Sequence, residues 1–348
     1  MKIRSLVSMT AALLVLLAGC TPAEESAERQ FFAMDTVMSV KVSGPKGEEA
    51  VEAVCSEISR LDALFSRTDP DSDISRLNAA AGSGTWTTLS GETAEVLTMA
   101  RAYAEETGGA FDVTIAPVMD AWGFGTTEET YRVPDEETLQ TLLPLVDSEK
   151  LTMGEDGTSA RLELAGMEAD LGGIAKGYAA DRAVSLLEEA GITSALLNLG
   201  TSTISLVGSK ADGSPWRVAV RDPADESGTL CVLELSDCAL STSGGYERYF
   251  EEDGQVYHHI LGPKTGAPAQ SGLSSVTVVT EQGTDADVWS TALYVMGTEE
   301  ALDFWRQKGG FECILCQEDG TVLVTEGLEG KLNTEENGDG YTFEIVRR

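Results

Sequence analysis

The chain is short of positive charge. It carries 24 Lys and Arg against 58 Asp and Glu, a formal net charge of −34 over 348 residues. A surface of that sign repels nucleic acid and anionic lipid headgroups, so no nucleic-acid partner is expected. Most of these carboxylates serve a solvated exterior. Histidine is scarcer still: His258 and His259 are the only two, which makes a general base easy to nominate. No repeat and no low-complexity linker breaks the chain after its first thirty residues. Its 42% hydrophobic content suits a packed globular unit.

Six cysteines occur at unrelated spacings, and no disulfide framework can be inferred from them. Cys313 and Cys316 have redox-motif spacing, yet they lie in an apolar run followed by an Asp-Gly turn and a second β-rich run, the pattern of a hairpin. Three residues apart on a strand, the two side chains point to opposite faces, which argues against a redox pair or half of a zinc site.

The first residues form a separate signal. Lys2 and Arg4 make a basic start, Leu6 to Leu17 contains an apolar run too short to span comfortably, and Leu17-Ala18-Gly19-Cys20 reads as a lipobox. A plain secretory signal and a short anchor are the alternatives. We expect residues 1–19 to be a lipoprotein signal peptide, with Cys20 acylated and the protein held at the cell membrane on its extracytoplasmic face. Thr21 to Arg29, small, polar and acidic, reads as a tether (20–29) before a catalytic domain over 30–348.

Past the tether, FFAMDTVMSVKVSG alternates as a strand does, and Gly47 to Phe65 places Val51, Val54, Ile58, Leu61 and Leu64 at helical spacing. A second helix is expected over 90–106, capped by Ser90 and stopped at Gly108-Gly109, with a short helix near Ser75 between the two. A further helix runs over 176–191. From there TSALLNLGTSTISLVGS, WRVAVRDP, TLCVLELSDCALSTSG, HHILGP and LSSVTVVTE are β-rich, before helices near Ala286 and Thr298 and a closing hairpin. The lack of regular βα alternation argues against a doubly wound sheet. The expected class is α+β: a single compact unit of mixed or antiparallel sheets with flanking helices, or two interlocked lobes.

The most informative stretch is DLGGIAKGYAADRA, 170–183. Gly172 and Gly173 let backbone approach a ligand, and a helix start offers free N–H groups to phosphate. Lys176 opens a helix where a cation opposes the dipole, which makes sense facing phosphate. Taken alone, the commoner use is a tight loop entering an ordinary helix, with an Asp170–Lys176 ion pair bracing it. In DADVWSTALYVMG, Asp287 and Thr291 are four residues apart on one helix face, oxygen donors of the kind that suit Mg²⁺. A helix-start acid and a hydroxyl bonding its own backbone would look the same.

With AMDT (33–36), GGAFDVTIAP (108–117), STSGGYERYF and HHILGPKTG (241–266), these segments resemble, in order and spacing, the FAD:protein FMN transferases of the ApbE family, over about 31–327. The resemblance implies that Asp287 and Thr291 are side-chain ligands of Mg²⁺, with the backbone carbonyl of Gly173 as a third. It also implies that Met34, Ala110, Phe111, Asp112, Asp170, Lys176 and Leu261 contact the flavin nucleotide. His259 falls on the histidine of the pattern H-I-I-D-P-x-T-G, and an attacking hydroxyl must lose a proton, so His259 is the expected catalytic base. Several positions depart from the family: Gly262 replaces its Asp, Asp35 its Gly in A-M-G-T, and Thr201 its second Gly in N-L-G-G. Thr68 stands where an aromatic residue is usual, and Ser290 where some members add an acid. The implied reaction transfers FMN from FAD, with Mg²⁺, to a Ser or Thr hydroxyl of an exported or membrane acceptor flavoprotein, releasing AMP. The alternatives are an FAD pyrophosphatase and a flavin-binding lipoprotein. Since the acidic surface also repels FAD, a bound divalent cation becomes nearly a requirement.

Overall fold

The computed structural model describes residues 26–125, 130–200, 202–225, 227–335 and 340–348. The leader, Cys20 and Thr201 lie outside the described residues. The chain opens with β1 (Ser26–Ala33), β2 (Thr36–Ser43) and α1 (Gly47–Phe65). Next come α2 (Asp73–Ala79), β3 (Thr87–Thr88), α3 (Gly91–Glu106), α4 (Ala116–Trp122), α5 (Glu136–Leu142), β4 (Leu151–Met153), β5 (Ser159–Leu162) and α6 (Ala175–Glu189). The β-rich half holds β6 (Ser194–Leu199), β7 (Thr203–Gly208), β8 (Trp216–Arg221), β9 (Thr229–Leu235), β10 (Cys238–Gly244), β11 (Tyr249–Glu252), β12 (Gln255–His258) and β13 (Leu273–Thr280). Helices α7 (Gly283–Met296) and α8 (Thr298–Lys308) precede β14 (Glu312–Gln317), β15 (Thr321–Thr325), β16 (Leu332–Asn333) and β17 (Thr342–Val346).

The α+β expectation holds. A nine-stranded sheet in the order β1-β2-β6-β7-β10-β13-β14-β15-β17 is antiparallel except for its last pair. One face packs on α1, α6 and α7 through residues such as Val40, Leu197, Val278 and Cys313. The other presents Leu206, Leu240, Val279, Ile314 and Cys316 to the small β16-β9-β8 sheet. Cys313 and Cys316 thus enter different cores from opposite faces of β14, both as free thiols, as their spacing on a strand requires. A third apolar cluster, built on Val118, Trp122, Phe124 and Leu261, carries the β11–β12 hairpin. Among the described residues no helix is long and apolar enough to cross a membrane.

Four boundaries differ from the sequence reading. The single strand around AMDT is a hairpin, because Met34 and Asp35 both take positive φ (48° and 60°), the two-residue turn that matches strand twist. Strand β1 begins at Ser26, so Ser26 to Arg29 belong to the sheet rather than to a tether. TLCVLELSDCALSTSG breaks at Asp237 (φ 53°) into strands of two different sheets. In HHILGP the strand ends at His258, and only an isolated Leu261–Pro268 bridge follows.

The glycines of the 170–183 stretch matter most where α6 meets α7. A Cβ on Gly177 would lie 2.3 Å from the Gly283 carbonyl oxygen, and one on Gly283 would lie 2.8 Å from that of Gly177. Two helix starts therefore touch backbone to backbone, and Asp181 of α6 caps the other by accepting from Gly283 N (2.6 Å) and Thr284 N (2.9 Å). We predict that Gly177→Ala costs about 3 kcal/mol, since the clash is with backbone. Gly91→Ala, where no atom lies within 4 Å, should change stability by less than about 1 kcal/mol. Urea unfolding of the two variants checks both.

Candidate active site

Helix α7 is covered on almost every side, so a carboxylate within it is costly unless compensated. Asp287 is 5% exposed. Its Oδ2 accepts from the Gly177 N–H at 2.9 Å, and its Oδ1 from the hydroxyls of Ser241 and Thr203 at 3.3 and 3.4 Å. Burial pushes the carboxyl above its usual range, while the Lys176 charge, the Gly177 N–H and the two hydroxyls act against that rise. One turn on, Thr291 Oγ1 lies 3.2 Å from Ser243 Oγ. Ser290, in place of the extra acid, shares Ser243 at 2.9 Å and donates to the Asp287 carbonyl at 3.0 Å. A Cβ on Gly173 would stand 3.8 Å from Thr291 Oγ1, so the glycine turn closes over the same spot.

These donors are all hard oxygens, the set Mg²⁺ prefers, and a buried carboxylate whose bonded partners are all neutral is a place for a cation. Among the described residues no group of three or more His, Cys, Asp or Glu is placed to hold a metal. A cation at Asp287 would rest on one carboxylate with hydroxyl and backbone oxygens, leaving coordination positions for water and phosphate.

The alternative use of Lys176, an ion pair with Asp170, does not form. Asp170 Oδ1 accepts from the Gly172 N–H at 2.6 Å, and its Oδ2 from Arg67 at 3.3 Å. Arg67 also reaches Asp120 and Glu168, both at 2.9 Å. Burial alone would lower the Arg67 pKa, but Asp170, Asp120 and Glu168 override it and hold the guanidinium charged. Arg67, about a hundred residues upstream in sequence, neutralises Asp170 and leaves Lys176 to donate to Ser202 Oγ at 2.6 Å. The Lys176 charge acts on Asp287, Glu247 and His259, so the helix-opening lysine lies among these three groups.

His259 lies one residue past β12, so its partners, rather than strand alternation, separate it from His258. Its Nδ1 sits 3.2 Å from the Arg248 carbonyl oxygen, which can only accept. Nδ1 therefore carries the proton and Nε2 keeps a free lone pair. Burial beside Phe124, then the Arg248 charge, drive its pKa down to about 3. His258 donates Nε2–H to the Ala269 carbonyl at 3.2 Å and meets Tyr294 edge-on.

The other nominated residues scatter in role. Phe111 is a core residue whose ring backs Gly173, with 3.0 Å to a Cβ built there. Ala110 and Met34 pack against the same core. Asp112 accepts from the Thr114 N–H at 2.8 Å and from the Ser148 N–H at 3.0 Å. Leu261 buries its side chain in the third cluster. Thr68 is exposed and bonded to Ser66. At Gly262, a Cβ would meet Thr265 Oγ1 at 2.8 Å, so the usual Asp would require that hydroxyl to move.

Sequence reasoning missed three residues: Arg67, Ser202 and Glu247. Glu247 is exposed, and the charges of Lys176, Arg221 and Arg248 all act on its carboxylate. In so acidic a chain, three basic residues acting on one glutamate mark a cation-rich spot. Its only sequence signal was Glu247's place in the polar segment after β10.

Asp120 and Glu168 are 34% and 40% exposed, so solvent moderates the loss of their partner. We predict that Arg67→Gln costs about 2 kcal/mol and that Arg67→Lys restores only part of it, because an ammonium cannot fork to three carboxylates. Chemical denaturation of the two variants checks this.

Known proteins resemble this chain over most of its length. The model of the ApbE family matches residues 34–315. The FAD:protein FMN transferase of Escherichia coli K12 is 31% identical over 271 residues, 77% of each chain. That of Treponema pallidum is 32% identical over 318 residues, 86% of this chain and 87% of the other. Among solved structures, the ApbE protein of Thermotoga maritima superposes with a TM-score of 0.81 at 32% identity, covering 88% of this chain and 99% of that one. The apo flavinyl transferase ApbE of Pseudomonas stutzeri gives 0.79 at 29%, covering 88% and 97%. By motif, fold and extent of match, this chain belongs to the ApbE family.

Proposed function

We propose that the protein is an FAD:protein FMN transferase, moving the FMN half of FAD to a Ser or Thr hydroxyl of an acceptor flavoprotein and releasing AMP. The observation that carries this reading is the buried Asp287 carboxylate, bonded only by neutral groups, beside Lys176 and on the helix face of Thr291. Asp287, Thr291 and the Gly173 carbonyl are the residues to hold Mg²⁺. When bound, that ion would neutralise charge on the FAD pyrophosphate.

The chain's own groups supply the rest. Lys176 contributes a second positive charge toward phosphate, and Arg67 keeps Asp170 fixed at the head of the glycine turn. The acceptor oxygen attacks the phosphorus of the FMN half, the P–O bond to AMP breaks, and the hydroxyl proton passes to His259 Nε2. The Arg248 carbonyl holds His259 in the tautomer that can accept it. An acceptor at the extracytoplasmic face of the cell membrane fits the lipobox at Leu17 to Cys20, which would anchor the enzyme beside it.

The test incubates the chain from Thr21 with FAD, Mg²⁺ and a flavoprotein acceptor, reading intact mass and AMP. The expected result is an acceptor mass gain equal to FMN, reduced by about 10³-fold in Asp287→Ala. AMP and free FMN without acceptor gain would instead make the protein an FAD pyrophosphatase. The histidine sign gives a second prediction. A depressed pKa keeps His259 neutral through the acid range, so kcat/KM should hold its value down to about pH 5 rather than fall near the ordinary histidine pKa. Removing the Arg248 charge in Arg248→Gln should move the acid limb upward. A pH–rate profile of the two proteins decides it.

A further inference from the structure

Away from the Asp287 site, a cavity of about 370 Å³ opens between α6, β7 and the start of β10. Asp181 and Val184 of α6 form one wall, Ser205 of β7 another, and the exposed Glu188, Asp237 and Glu281 stand at the rim. Acidic residues are common on this chain, and four carboxylates alone would be a solvated face. Two features set the cavity apart. Ser205 is 2% exposed, yet its hydroxyl has no hydrogen-bond partner. It points to the α6 side, because Thr203, two residues earlier on the same strand, reaches Asp287 from that face. In addition, no basic side chain lines the cavity; Lys331 acts on the nearby Cys238 thiol but is not part of the wall.

We propose that this cavity binds a linear polyamine, with its ammonium groups on Asp181, Glu188, Asp237 and Glu281 and an N–H donated to Ser205 Oγ. The chemistry selects an extended organic cation over a metal. Among the described residues no three acidic, histidine or cysteine side chains come together closely enough to hold one ion. Carboxylates that line one cavity from separate elements without converging on a point instead match several positive charges spaced along a chain, and an orphaned buried hydroxyl calls for a donor. The site is separate from the flavin chemistry: Asp181 caps α7, and none of the other lining residues takes part in the proposed transfer.

The test is isothermal titration of the chain from Thr21 with spermidine, compared with Ca²⁺. The double variant Glu188→Gln/Glu281→Gln removes two rim charges, and Glu48→Gln/Glu49→Gln removes the same charge from the exposed first turn of α1. A second cavity variant, Ser205→Val, fills the orphaned position. The proposal predicts saturable one-to-one spermidine binding, weakened at least about tenfold by the rim variant and by Ser205→Val, and unchanged by the α1 control. Equal weakening by the α1 control, non-saturable binding, or Ca²⁺ binding that displaces spermidine one for one would overturn it.

Discussion

The structure turns on a carboxylate placed where carboxylates are costly. Asp287 lies inside a helix packed on nearly all sides, and its strongest contact is the backbone N–H of Gly177 on the neighbouring helix. That contact exists because two glycines let the helix starts meet backbone to backbone. Burying this carboxylate costs stability that Lys176, the Gly177 N–H and the hydroxyls only partly offset, the configuration expected of a site completed by a bound cation.

Electrostatics organise the surroundings. A chain with more than twice as many acids as bases concentrates Lys176, Arg221 and Arg248 around Glu247 and the Asp287 helix. Arg67 is committed elsewhere, to three carboxylates at the entrance of the glycine turn. Two kinds of basic residue result: one braces the turn, while the others offset the otherwise negative field around Glu247. His259 joins from a third core, through a backbone carbonyl that fixes its tautomer.

The regular elements were legible because their signals are local. The span of α1, the Ser90 cap of α3 and the opposed Cys313 and Cys316 follow from helical spacing, capping chemistry and strand alternation. What stayed hidden depends on partners distant in sequence. Nothing near Asp170 announces Arg67, and nothing near Lys176 announces Ser202. Nothing near Asp112 in sequence announces Ser148, whose N–H its carboxylate accepts along with that of Thr114. The hairpin at Met34 and Asp35 was hidden for another reason: a side chain occupies a left-handed position that sequence patterns assign to glycine.

The central claim, that Asp287 is buried to receive a cation, is tested most directly by thermal unfolding of the wild type and Asp287→Asn with and without Mg²⁺ and FAD. Asn keeps the acceptor for Gly177 but removes the charge. The account predicts that the variant is more stable than the wild type in the absence of metal, and that only the wild type gains further stability when Mg²⁺ and FAD are added. A variant less stable than the wild type that still responds to Mg²⁺ would contradict it.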